Sequence, residues 1–135
     1  MDPNNIILVK VGKHINIHNN KMEKFVYNMD LNTPFGTEES NHLYYCNWII
    51  NGKNLNLLFE IENIIETFMR KKYDIGDCWT WKSSIRKNDR FKYLLRTTHK
   101  SDYEFEINSY NNVDITVNCI WLHKITKTFG IQFVV

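Results

Sequence analysis

The chain has 135 residues and a net charge of +2 from 17 basic and 15 acidic side chains, long enough to bury one core without staples but too weakly charged to name a partner. Its three cysteines, Cys46, Cys78 and Cys119, are odd in number and far apart, which argues against a disulfide framework. No apolar run reaches the length of a membrane span, and the start MDPNNIILVK lacks the charged and apolar regions of a signal peptide. The expectation is one domain over residues 1–135, in a reducing intracellular compartment, with no membrane partner.

Apolar residues recur mostly with period two. IILVKVGKHINI (6–17) reads as a strand, and so does KFVYNMDL (24–31), which ends at Asn32-Thr33-Pro34 and Gly36. TPFGTEE has a single glycine, so it cannot cradle a phosphate and reads as a loop between strands. HLYYCNWII (42–50) is a third strand, closed by the turn signal Asn51-Gly52. The period then changes. Leu58, Ile61, Ile64, Ile65, Phe68 and Met69 share one face of a helix at about 58–72, with Glu62, Glu66 and Lys71 away from it. Beyond Gly76 the alternation resumes over 78–86, 90–98, 103–108, 113–122 and 129–135. One helix among short strands predicts a small antiparallel β-barrel or sandwich.

Charge is unevenly placed. Ten of the 17 basic residues lie between Arg70 and Lys100, so a positive face, if present, is local. Within DCWTWKSSIRKNDRFKYLLRTTHK (77–100), period two puts Trp79, Trp81, Ser83 and Ile85 on one face of a hairpin and Lys82 and Arg86 on the other. Lys87-Asn88-Asp89 reads as the turn and is followed by Arg90. On the return strand Phe91, Tyr93 and Leu95 oppose Lys92, Leu94 and Arg96. Aromatics packed inward with cations in solvent would account for this pattern. So would a surface for a charged polymer: guanidinium groups grip phosphate bidentately, and flat rings stack unpaired bases.

No catalytic constellation stands out. The five histidines form no HExxH or Cys/His zinc spacing, and Glu60, Glu62 and Glu66 read as a solvated helix face. The chain reads as a binder without catalytic residues, metal or cofactor.

Three segments carry a resemblance. They are TPFGTEESNHLYYCNWII (33–50), LLFEIENIIETFMRKKY (57–73) and ITVNCIWLHKITKTFGIQFVV (115–135). In this order they are similar to motifs of the single-stranded DNA-binding proteins of short-tailed phages and nucleocytoplasmic large DNA viruses. The resemblance implies a mainly β, OB-fold-like five-stranded antiparallel barrel with extra strands and the one amphipathic helix. It implies a sequence-nonspecific partner, single-stranded DNA, bound in viral DNA replication or recombination at the site of replication in the host cell. It also implies self-association as a homodimer and contacts with viral replication proteins. It would put Trp79, Trp81, Lys82, Arg86, Lys87, Arg90, Lys92, Tyr93 and Arg96 on or beside the DNA groove, and Ile120, Trp121 and Phe129 in the core. Pro34, Phe35 and Gly36 would be structural or at the groove rim. The sequence departs from the family's acidic C-terminal tail, ending in the apolar Gln132-Phe133-Val134-Val135. Two other readings stand beside this one: an RNA-binding protein of the same fold, and a structural β-barrel of a viral assembly that pairs through the terminal GIQFVV as an edge strand.

Overall fold

A computed structural model describes residues 1–73, 75–99 and 104–135. Lys100 and Tyr103, counted above in the basic run and in the 103–108 strand, lie outside the described residues. A 3-10 turn, Pro3–Asn5, precedes the first strands. The 6–17 segment is two strands rather than one, β1 (Ile7–Val11) and β2 (His14–His18). They fold back on each other through Gly12, whose φ of +59° suits a residue without Cβ. β3 is Phe25–Thr33. Glu38 and Glu39 of the expected loop form, with Ser40, a short strand, β4 (Glu38–Ser40), paired with β5 (Leu43–Ile49).

Asn51 is the N-cap of the helix α1 (Gly52–Lys72), which therefore begins six residues before Leu58. The basic residues Arg70, Lys71 and Lys72 occupy its last turn, where the helix dipole favours them. The remaining strands are β6 (Thr80–Trp81), β7 (Ile85–Asn88), β8 (Lys92–His99), β9 (Ser109–His123) and β10 (Thr128–Val134). The expected strand at 103–108 is absent over its described part, 104–108.

The strands form one open sheet in the order β1-β2-β9-β10-β8-β5-β4, with β3 on β9, β6 on β10 and β7 on β8. This differs from the expected closed five-stranded barrel. β3 comes close to β5 but forms no ladder with it among the described residues, so the sheet curls without closing. β9 is the spine. On one side it pairs with β3 over 109–117 and then with β2 over 119–121, and on the other with β10.

Between those two partners β9 carries a bulge. Gln132 faces Cys119 while the next residue, Phe133, faces Val117, so Asn118 is the unpaired extra residue. Lys24 Nζ donates to the Asn118 carbonyl at 2.6 Å, and Asn118 Nδ2 donates to Gln132 Oε1 at 2.8 Å. The bulge reverses the side-chain phase of the strand. Before it Val113, Ile115 and Val117 face inward. After it Ile120 does, and Cys119 and Trp121 turn outward.

The inner face and α1 share one core, with Leu58, Ile61, Ile65 and Met69 of the helix packed with Trp48, Leu95, Ile115, Ile120, Phe129 and Phe133 of the sheet. The terminal strand β10 lies inside the sheet, with β9 on one side and β6 and β8 on the other. It is therefore no edge strand, and the pairing surface anticipated for GIQFVV is occupied within the chain.

Candidate functional site

The outer face where β2, β9 and β10 meet can be read from register. His14 pairs with Trp121, and Trp121 with Gly130; Asn16 pairs with Cys119, and Cys119 with Gln132. Directly opposed residues share a face, so these six stand together. Next to them residues 80–84 run along β10. Thr80 N–H donates to the Lys127 carbonyl and Lys82 N–H to that of Phe129, both at 2.8 Å, and Ser84 Oγ donates to that of Ile131 at 2.6 Å. The Ser84 carbonyl in turn accepts from Arg96 N–H of β8 at 3.3 Å.

A cleft of about 310 Å³ opens between these parts, within the size range of ligand sites. Its walls include Lys82, Arg86 and Arg96, and its floor includes Trp121, Cys119 and Gln132, with His14 at the β2 side. The three cations are exposed, and among the described residues none has a carboxylate within salt-bridge distance; the ion pair formed there is Arg70–Glu66. Arg96 is held in place by its guanidinium, 4.1 Å above the Tyr45 ring centroid on β5.

The wall is anchored from below by Glu62. Expected on a solvated face, it is 3% exposed. Its carboxylate accepts from the Ser83 hydroxyl and, at 2.9 Å, from the Ser84 N–H. Burial pushes its pKa up, the two hydrogen bonds oppose that, and the neighbouring Glu66 adds to the rise. Burial raises the Cys119 thiol on the floor, and burial lowers the nearby Lys24 amine.

The nine predicted site residues divide into three groups. Lys82, Arg86 and Arg96 converge on the cleft. Lys87, Lys92 and Tyr93 line a separate depression at the tip of the β7–β8 hairpin, where Arg90 lies over the Phe91 ring at 5.0 Å. The turn falls at 89–91 rather than at the expected Lys87-Asn88-Asp89, because Lys87 and Asn88 pair with Tyr93 and Lys92. Asn88 Oδ1 accepts from Arg90 N–H and Phe91 N–H, and Lys92, just past the loop, has φ +66°. Tyr93 is half-buried with its ring edge-on to Phe59.

Trp79 and Trp81 form the third group and pack inward. Their rings meet Phe129 edge-on at 6.4 and 5.2 Å. Arg70 fastens this corner, donating to the Trp79 carbonyl at 3.0 Å and lying over the same Phe129 ring. They support the core. Trp121, expected in the core, is the tryptophan that lines the cleft; the bulge at Asn118 is what moves it there. No repeat or motif marks that bulge in the sequence.

The Pro34-Phe35-Gly36 loop is structural. Gly36, at φ +66°, sits where a Cβ would stand 2.6 Å from the Phe105 carbonyl oxygen, and Thr37 N–H donates to that oxygen at 3.0 Å. No described helix is long and apolar enough to cross a membrane. No protein-family model, curated protein or solved structure matches the chain.

Proposed function

We propose that this protein binds single-stranded DNA in the cleft between the 82–86 segment, β8 and the outer face of β9–β10. The observation that carries this reading is the convergence of three cations, Lys82, Arg86 and Arg96, without a carboxylate in reach among the described residues, on one open cleft beside an accessible indole. Unpaired cations at close quarters attract a polyanion, and neutralising phosphates releases counterions, which drives association with little regard to sequence.

Likeness to an OB-type barrel belongs to the same proposal. It is supported by the curled, mostly antiparallel sheet and by the helix inserted between β5 and β6. A role in viral DNA replication or recombination, self-association and the recruitment of replication proteins rest on the resemblance of the three sequence motifs alone.

Titration of labelled oligo-dT at several salt concentrations tests the reading. With three phosphates neutralised in the cleft, log affinity falls with log salt at a slope of about −2. Changing Lys82, Arg86 and Arg96 together to alanine flattens that slope. Alanine at Lys87 and Lys92 changes it less. Preference for duplex DNA over oligo-dT would sink the proposal, and tighter binding to oligo-U would reassign the polymer to RNA.

A further inference from the structure

The floor of the cleft is more specialised than its walls. Gly130 lies directly beneath the indole of Trp121. A Cβ there would stand 2.9 Å from Trp121 Cζ2 and 2.4 Å from the Lys82 carbonyl oxygen. Only a residue without a side chain lets the ring and the 82–84 wall close over β10 together, an arrangement that fixes the indole on the sheet and orients it. The ring is half-buried and lines the cleft, so it is held by the sheet and open to a ligand.

The charged groups around it are donors only, while His14, Ser83, Ser84 and Thr98 of the same cleft can accept as well as donate. Lys82, Arg86 and Arg96 have no acceptor atoms on their side chains. Gln132 Oε1 is occupied, accepting from Asn118 Nδ2 at 2.8 Å and from the Cys119 thiol at 3.3 Å. Its Nε2 makes no hydrogen bond within the described residues and remains a donor at the floor. A donor-rich cleft with one flat ring matches a ligand that combines an anion, a planar face and a carbonyl oxygen.

We propose that the floor is a one-base subsite, in which an unpaired base bearing a ring carbonyl stacks on Trp121 and accepts from Gln132, while its flanking phosphates lie against Lys82, Arg86 and Arg96. Thymine, uracil, cytosine and guanine meet the carbonyl requirement and adenine does not. The inference rests on the single-strand reading above and deepens it. It makes Trp121, rather than Trp79 or Trp81, the residue that distinguishes a base from bare sugar-phosphate.

The test compares oligo-dT with an abasic oligonucleotide of the same length, using the full chain and its Trp121→Ala and Trp121→Phe variants. A stacked base contributes a factor of roughly 5 to 140 in affinity. The wild-type protein should prefer oligo-dT to the abasic strand by a factor in that range. Trp121→Ala should erase the preference while leaving abasic binding in place, and Trp121→Phe, the smaller structural change, should keep part of it. Retention of the full preference by Trp121→Ala overturns the inference and leaves the phosphate-binding reading standing. Failure of the wild-type protein to bind either strand overturns both. For the carbonyl requirement, Gln132→Met should narrow the ratio of oligo-dT to oligo-dA affinity severalfold. An unchanged ratio removes Gln132 from the subsite.

Discussion

Glu62 is the residue whose setting departs most from its sequence signal. Its charge reads as a solvated face, yet four residues from Leu58 and seven from Met69 it lies at the edge of the buried stripe, where it accepts hydrogen bonds from Ser83 and Ser84. Because burial raises its folded-state pKa, its stabilising contribution is complete below the unfolded value. That contribution is lost as pH rises through the folded value. Glu62→Gln carries no such dependence. Denaturant unfolding at pH 4 and pH 8 should therefore show the variant gaining on the wild-type protein toward pH 8, by about 1.4 kcal/mol for each unit by which the carboxyl is raised. A constant difference between the two proteins would contradict this. Trp81 makes the complementary residue-scale case. Packed edge-on against Phe129, it contributes to the core rather than to the cleft. Trp81→Ala should cost about 2–4 kcal/mol in unfolding free energy, less than a fully buried tryptophan would, while the folded fraction binds oligo-dT with unchanged affinity.

At the scale of elements, periodicity made the strands and the helix legible, and what it missed has local causes. The apolar phase of Val9, Val11, Ile15 and Ile17 carries on across Gly12 with a break at Lys13 alone, so the β1–β2 reversal is hard to see until a left-handed φ makes the turn. In the sequence Lys82, Arg86 and Arg96 stand in one basic run with Lys87, Arg90 and Lys92, and only the fold brings the first three to one cleft. Lys87 and Lys92 lie at the strand ends beside the turn and Arg90 within it, at the far end of the hairpin from the cleft. β9 shows the limit most clearly. Strict alternation puts Val113, Ile115, Val117, Cys119 and Trp121 on one face, and a single bulge at Asn118 sends the last two to the other. Nothing in residue type announces a bulge, since it is selected by what both sides of the strand pair with. Deleting Asn118 should therefore be far more damaging than altering its side chain. The deletion restores one phase along the strand, so either Trp121 or the Val113–Val117 row must face the wrong way, and cooperative unfolding should be lost. Asn118→Ala keeps the bulge and removes one hydrogen bond to Gln132, at a cost of about 1 kcal/mol. Thermal melts of the two variants separate these outcomes.

For the molecule as a whole, the cleft lies on a seam. β1, β2, β3, β9 and β10 make one part of the sheet, and β4, β5, β7 and β8 make the other. The two parts are joined at the C-terminal end by the Val134–Thr98 pair and by Val135 N–H donating to the Thr98 carbonyl at 3.0 Å. Along the rest of the seam the 80–84 segment is threaded between them. Trp121, Gln132 and His14 belong to the first part, and Arg86 and Arg96 to the second. A ligand that touches both walls must therefore resist their separation. Binding only to the closed arrangement adds about 2.7 kcal/mol at a ligand concentration one hundred times Kd. Amide hydrogen exchange should report where that energy appears. With saturating oligo-dT, the Arg96 and Val135 amides, which bridge the seam, should slow by up to about a hundredfold. Amides at the β4–β5 turn, which open by fraying at the sheet edge, should change little. Protection at that turn with none at Arg96 or Val135 would move the ligand off the seam and away from Trp121.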